Sequence, residues 1–305
     1  MDPLSEVLSL LKLRGFMAGG FDLAGAWSLE FGPHEGIKCY AMVTGWCWLA
    51  VEGVEPVRLE AGDCFLLPRG LPFRMATDLS LPPTDARAVF HMPMRGRIAT
   101  WNGGGECFGL GGFFALEGQY ARLLLSELPP VVHIKGESER TELRWLLERM
   151  RVEVLEPRPG GSLVAQQLAT MMLVQALRLH LKDGLSGRAG WLSALTNRQM
   201  QAAITSIHDA PAKGWTLAQL AQRCGMSRSI FAAKFKTTVG VSPMEYLTRW
   251  RMLLAGDRLR QSDDAVASIA QSLGYASESA FSKAFRRVMG SSPRQFRGAE
   301  AEAVP

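Results

Sequence analysis

Thr216-Leu-Ala-Gln-Leu-Ala-Gln-Arg-Cys-Gly-Met-Ser-Arg-Ser-Ile-Phe231, continued by Phe235, Gly240, Ser242-Pro243 and Tyr246, is written a second time further along the chain. The second copy runs Ala265-Val-Ala-Ser-Ile-Ala-Gln-Ser-Leu-Gly-Tyr-Ala-Ser-Glu-Ser-Ala-Phe281, then Phe285, Gly290, Ser292-Pro293 and Phe296. Leu217, Ala221 and Gly225 align with Val266, Ala270 and Gly274 at an offset of 49. Phe231, Phe235, Gly240, Pro243 and Tyr246 align with Phe281, Phe285, Gly290, Pro293 and Phe296 at an offset of 50. The added residue falls between Gly274 and Phe281. Turns absorb such a change because it leaves the packing face of each flanking helix in place.

Each copy reads as two helices and a turn. Thr216 with Gln219 has the form of a capping box. Leu217, Leu220 and Ala221 fall at i, i+3 and i+4, one apolar stripe. Gly225 stands where the chain leaves the helix in a left-handed conformation, and Ser227 is a good N-cap for the next helix. Ile230, Phe231 and Phe235 are expected inward, with Arg228, Ser229, Ala232, Ala233 and Lys236 outward. In the second copy Ser277 caps, Ala280, Phe281 and Phe285 are expected inward, and Glu278, Ser279, Ser282, Lys283 and Arg286 outward. Short helices with small, basic outer faces suit the DNA major groove.

Between the copies, Ser242-Pro-Met-Glu245 is a second capping box with proline at N1. It opens a helix with Tyr246, Leu247, Trp250, Leu253, Leu254 and Leu259 inward, and Arg249, Arg251, Arg258 and Arg260 mostly outward. One rigid helix would place two readers in successive major grooves, about 34 Å apart. The outward residues differ between copies, so one chain is expected to read an asymmetric site. Lys236, Arg251, Arg286 and Arg287 are the phosphate candidates, which position without specifying.

Ile269-Ala270, Gly274-Tyr275, Ser277-Glu-Ser279, Phe281-Ser-Lys283, Phe285 and Gly290-Ser-Ser-Pro293 together resemble the DNA-binding domain of the AraC/XylS family, over about the last third of the chain. The resemblance implies promoter DNA and RNA polymerase as partners, and a transcription regulator that activates.

Charge splits along the 305 residues. From 191 to 305 there are 15 Lys and Arg against 8 Asp and Glu, leaving 19 against 21 before them. The basic end alone is suited to phosphate. No run of 18 apolar residues occurs, so no membrane partner is expected. Met1-Asp-Pro-Leu-Ser-Glu6 lacks the form of a signal peptide. Five cysteines without metal-ligand spacing indicate a reducing cytoplasm. Thr196-Asn-Arg-Gln199 is expected to cap the helix that opens the back domain.

The front of the chain opens on an amphipathic helix over 3–13 and turns to short strands: Trp27 to Phe31, Lys38 to Thr44, Cys47 to Val51, Pro56 to Glu60 and Cys64 to Leu67. Strands punctuated by Gly and Pro indicate a sandwich or jelly-roll barrel. The Gly45…Gly53…Gly62-Asp63…Pro68-Arg-Gly70-Leu-Pro72 spacing, with Leu128-Pro-Pro-Val-Val-His-Ile134, resembles the cupin-type sensory domain found in front of many AraC-family regulators. Metal-binding cupins need a His-x-His pattern. Here Lys38-Cys39-Tyr40 stands in its place, Phe73 occupies the later histidine position, and His34 and His91 lack spaced partners. No metal, no cofactor and no enzyme activity are expected.

The expected fold is α+β multidomain. A cupin-like β-barrel (jelly roll) over 1–135 binds an effector. A helical linker and dimerisation region spans 136–190, and an all-α domain with two helix-turn-helix units spans 191–305. The apolar face of 162–182 (Leu163, Val164, Leu168, Met171, Met172, Val174, Leu177) is broad enough to meet a second chain, so a homodimer is expected. Asp183 to Gly190 is the linker. For a small-molecule effector the candidates are Tyr40, Trp48 and Phe73 inside the barrel. Arg95, Arg97 and Trp101, beside Gly103-Gly-Gly105, would suit a phosphorylated or nucleotide-like ligand, and the Arg140/Arg144 pair is of the same kind. Cys107, beside glycines, would be exposed to oxidants. The alternatives are a metal-dependent cupin enzyme fused to a DNA-binding tail, and a ligand-free dimerisation barrel.

Overall fold

A computed structural model describes residues 2–11, 14–90, 98–115, 128–135, 141–156, 158–182 and 190–301. They form two compact units. The front unit holds the described residues from 14 to 182, and the back unit holds 2–11 and 190–301.

In the front unit the strands are β1 (Arg14–Leu23), β2 (Ser28–Phe31), β3 (Ile37–Thr44), β4 (Trp46–Val51), β5 (Val57–Glu60), β6 (Cys64–Leu67), β7 (Phe73–Ala76), β8 (Thr84–Asp85), β9 (Ile98–Trp101), β10 (Cys107–Ala115) and β11 (Val132–Ile134). They make a six-stranded sheet in the order β11-β6-β3-β10-β1-β9 and a five-stranded sheet in the order β5-β4-β7-β2-β8. Phe21, Met42 and Phe65 from the first and Leu29, Leu49 and Met75 from the second share one apolar core. Two sheets closing on one core are the form the expected jelly roll takes.

The most extensive pairing joins β1 to β10, antiparallel from Arg14↔Ala115 to Leu23↔Cys107. Sequence rules missed both strands because they are glycine-rich, which weakens a strand on propensity alone. The glycines answer a close approach. A Cβ on Gly111 would stand 2.1 Å from the Cys39 carbonyl oxygen, and one on Gly109 2.3 Å from the Phe21 ring.

The end of segment 128–134 becomes β11, paired antiparallel with β6. His133 Nε2 lies 2.9 Å from Asp63 Oδ2, which also accepts from the Glu60 amide. A buried acid therefore ties this strand to the β5–β6 turn.

Helix α2 is Ala86–Phe90. Helices α3 (Thr141–Leu155) and α4 (Gly161–Lys182) pack on one another, and α4 also lies on β1, β3, β6 and β11. They belong to the front unit. Leu146, Leu147 and Met150 are buried as expected. On α4, Leu168, Met172 and Leu177 are buried, whereas Leu163, Val164 and Met171 are exposed, as is Trp145 on α3.

Helix α1 (Pro3–Leu11), assigned to the front domain from sequence, packs in the back unit, where Leu4, Val7 and Leu10 are buried. The remaining back-unit helices are α5 (Trp191–Ala194), α6 (Arg198–Asp209), α7 (Leu217–Arg223), α8 (Arg228–Val239), α9 (Pro243–Gln261), α10 (Val266–Ser272), α11 (Glu278–Met289) and α12 (Pro293–Ala301).

Asn197, not Thr196, caps α6, accepting from the Gln199 and Met200 amides, while the Thr196 hydroxyl donates to the Ser193 carbonyl. The Thr216–Gln219 capping box is complete. Only half of the Ser242–Glu245 box forms. Ser242 accepts from the Glu245 amide, but the Glu245 carboxylate pairs with Arg249 at 2.8 Å.

The five cysteines are free and buried. The neighbouring thiol of Cys64 and then burial raise the Cys39 thiol, and Cys107 and then burial do the same for Cys47. Cys107 is 3% exposed, which corrects the expectation of an accessible thiol. The thiol is the first residue of β10, whose Gly109, Gly111 and Gly112 sit in the sheet.

Candidate nucleic-acid interface

Helix pairs α7–α8 and α10–α11 repeat the same construction. Helices α7 and α10 each span 7 residues, α8 and α11 each span 12, and the turn between the second pair is one residue longer. Ser227 accepts from the Ile230 amide and Ser277 from the Ala280 amide, fixing where α8 and α11 begin. Two rings anchor each helix. Phe231 and Phe235 lie 5.6 Å apart, Phe281 and Phe285 5.7 Å apart, and none of the four is exposed.

Gly274 holds the longer turn close to α6. Its φ is +79°, and a Cβ there would stand 2.1 Å from the Ala212 carbonyl oxygen, so only glycine fits.

With one face of each helix committed to the core, the other is open. On α8, Arg228, Ser229, Ala233 and Lys236 are exposed and Ala232 is half-buried. On α11, Glu278, Ser279, Lys283, Arg286 and Arg287 are exposed and Ser282 half-buried. Ser277 spends its side-chain oxygen on the cap. These residues stand as the sequence placed them. Ile230 and Ala280 do not. Both were expected inward, and both are exposed; Ile230 is 60% exposed. Each sits three residues after the capping serine, in the first turn, where the helix has already rotated away from the core. An apolar residue there can meet a thymine methyl group.

Arg251 is the correction among the phosphate candidates. Its Nε donates to the Pro211 carbonyl at 2.6 Å and its guanidinium to the Lys213 carbonyl at 3.0 Å, and it lies over the Tyr275 ring. It staples α9 to the chain after α6 and has little left for DNA. The other α9 arginines are also engaged: Arg249 with Glu245, Arg258 with the Ser272 hydroxyl, Arg260 over Phe296. Arg287 is turned toward a groove of about 650 Å³ beside α9, floored by Trp191, Trp250 and Leu253, which puts it at the margin of the α11 face.

One buried network lies under this unit. His208 Nδ1 is 2.7 Å from Glu6 Oε2, its Nε2 is 2.9 Å from the Tyr246 hydroxyl, and its ring stacks on Trp250 at 3.7 Å. Burial lowers the His208 pKa to about 3 and raises that of Glu6. His208 is therefore neutral in the folded unit.

The front-unit candidates are mostly core. Phe73 is buried and stacked on Phe31 at 4.3 Å. Tyr40 stacks on Phe65 at 5.9 Å, and burial raises its pKa to about 12. Trp48 is half-buried in β4, and Trp101 in β9 packs against the core. His91, Arg95, Arg97 and Arg140 lie outside the described residues, as does the side chain of Arg144. The glycines after Trp101 are not an open anion cradle. Asp22 accepts the Gly105 amide at 2.6 Å and stands against Gly104, so a carboxylate already fills the place a phosphate would take. Among the described residues no cluster of three or more His, Cys, Asp or Glu could hold a metal, and no helix is long and apolar enough to cross a membrane.

Comparison with known proteins also separates a front match from a back match, although the front one takes in the residues of α1. Residues 2–182 match the family described as "Cupin", and residues 220–299 match a "Helix-turn-helix domain". A putative AraC-like transcription regulator of Streptomyces lividans is 41% identical over 97% of this chain and 98% of its own length. The RCS-specific HTH-type transcriptional activator RclR of Escherichia coli is 28% identical over all of both chains. The DNA-binding domain of AdpA, solved in complex with a target DNA, is 31% identical, with a TM-score of 0.33, covering 34% of this chain and 93% of that one.

Proposed function

The chain belongs to the AraC-like transcription regulators, with a cupin front unit and a helix-turn-helix back unit, and from that membership we propose that α8 and α11 read two unlike half-sites of one DNA operator. Regulators of this family bind DNA and are not enzymes. One observation carries the reading: α8 and α11 are equal in length, serine-capped and phenylalanine-anchored, yet differ in what they expose. Arg228, Ser229, Ile230 and Ala232 face bases from α8. Glu278, Ser279 and Lys283 face bases from α11. Lys236 and Arg286 contact phosphate, with Arg287 at the edge.

Lys283→Ala should relax base preference at one operator position, at a cost of about 1–3 kcal/mol. An operator-variant series measured by anisotropy tests this, and uniform weakening across all variants would remove Lys283 from the readers. Arg286→Ala should weaken every operator alike and reduce the slope of log affinity against log salt by about 1. An unchanged slope takes it off the phosphate list.

The working unit is a homodimer joined through α4. Leu163, Val164 and Met171, with Trp145 of α3, leave an apolar surface uncovered on the front unit. The double variant Leu163→Glu, Met171→Glu should sediment as a monomer and keep its melting temperature. A dimer surviving both changes would place the interface elsewhere. The front unit binds a small effector, and the protein acts in the cytoplasm with RNA polymerase as an activator.

A further inference from the structure

At one end of the front unit a half-buried ammonium stands among aromatic rings, with no carboxylate of the described residues to meet it. Lys38 lies in β3 on the same strand face as Tyr40, which packs against the core between the sheets. Its Nζ is 4.9 Å from the centre of the Phe31 ring and 4.7 Å from that of Phe73. Those two rings are paired across β2 and β7 and stacked within 5° of parallel. Phe31 ends β2 and Phe73 begins β7, so the group sits at one end of the two sheets.

His34 stands beside it, edge-on to Phe73 and Phe113 at 6.1 and 6.3 Å. Neither of its ring nitrogens makes a well-formed hydrogen bond to protein. Burial, and then the Lys38 charge, lower its pKa to about 4, only partly offset by the Gly36 backbone. His34 is therefore neutral and supplies no counter-charge. Burial likewise lowers the Lys38 pKa to about 8, and no Asp or Glu of the described residues pairs with it.

An ammonium held over aromatic faces gains about 0.5–2 kcal/mol from them. Withdrawing it from water without a partner costs more than that. An apolar residue would be the cheaper occupant of this strand position, so the charge asks for an anion. The surroundings set its kind. Among the described residues, one cation, aromatic walls and no cluster of further donors suit a single carboxylate on an apolar body, and they do not suit a phosphate, which needs several donors.

We propose that Lys38 anchors the carboxylate of an apolar organic acid, whose body lies against the half-buried Phe31 ring at this end of the two sheets. This rests on the effector-binding reading and narrows it to one ligand class.

The test uses the full chain and a probe series: straight-chain carboxylates from butanoate to dodecanoate, and benzoate, each beside its own primary amide. At least one acid should raise the melting temperature saturably while its amide does not. Lys38→Met, which keeps the stem and removes the charge, should weaken that acid at least ten-fold, and Lys38→Arg should restore part of the binding. In the unmutated protein the same acid should slow acetylation of Lys38, read by mass spectrometry, at least ten-fold. An amide that binds as well as its acid, unchanged affinity in Lys38→Met, or unprotected Lys38 would overturn the proposal. If no acid binds while neutral or phosphorylated compounds shift the melting temperature, Lys38 falls and the effector reading stands. If no compound of any kind shifts it, both fall.

Discussion

Phe281→Ala should abolish operator binding by the whole chain and lower its unfolding free energy by about 3–5 kcal/mol, the range for an aromatic removed from a closed core. Phe281 has no exposed surface and touches Tyr275 edge-on at 5.5 Å and Phe285 at 5.7 Å; Phe285 in turn meets Phe296 at 5.4 Å. The ring therefore joins the turn before α11, α11 itself and, through Phe285, α12. Such a loss is a large part of a typical domain's stability of about 5–15 kcal/mol. Urea unfolding followed by tryptophan fluorescence gives the first number and a gel shift the second. Wild-type urea midpoints together with an unaltered shift would show that α11 does not depend on this anchor. The surface changes Lys283→Ala and Arg286→Ala should leave the midpoint unmoved, which separates a damaged reader from a damaged scaffold.

The second large effect is acid sensitivity of the back unit. His208 titrates near 6.5 when unfolded and at about 3 when buried against Trp250. Below 6.5 the unfolded chain takes up a proton that the folded chain refuses. Stability is therefore fully present above 6.5 and falls as pH drops toward 3, at about 1.4 kcal/mol per pH unit for one proton. Two features of the site limit the fall. The Glu6 carboxylate 2.7 Å from Nδ1 favours the imidazolium, against the dominant effect of burial. Glu6 itself has a raised pKa, so its folded form binds a proton before its unfolded form does and offsets part of the slope at the acid end. Stability should therefore decline most clearly between pH 6.5 and 5. His208→Phe keeps the ring stack and should flatten that decline by about one proton. Equal slopes in the variant and the parent would show that His208 is protonated in the folded state.

Both effects act on residues whose legibility differs. Phe281 was readable, because a large apolar residue recurring at a fixed offset in a repeated segment has few places to go but inward. His208 was not. Its network depends on Glu6, roughly two hundred positions away, and no local pattern announces that a helix at the start of the chain packs with its end. The exposed faces of α8 and α11 lie nearly where the sequence puts them, since capping serines and paired phenylalanines fix helix phase. Ile230 and Ala280 were misassigned because hydrophobicity was given precedence over that phase. Arg251 was misread for a similar reason: an arginine on a helix looks solvent-bound until the two carbonyls that hold it are seen. In the front unit β1 and β10 escaped notice because their glycines answer to neighbouring backbone, a constraint that exists only once the sheet is assembled. Lys38 was quoted only as a residue standing where a metal ligand was wanted. Its isolation shows only when the rings of β2 and β7 are placed over it.

Helix α9 runs unbroken for 19 residues between the two helix-turn-helix units. Its residue count therefore works like the pitch of a screw. A single insertion inside it would carry one unit about 1.5 Å along the axis and swing it by about 100° relative to the other. The same insertion in the turn before α11 leaves both helices on their anchors, and it is there that the two copies of the repeat differ by one residue. Length can drift in the turns of such a repeat, while in the connecting helix each added residue changes both the spacing and the rotation of the two units.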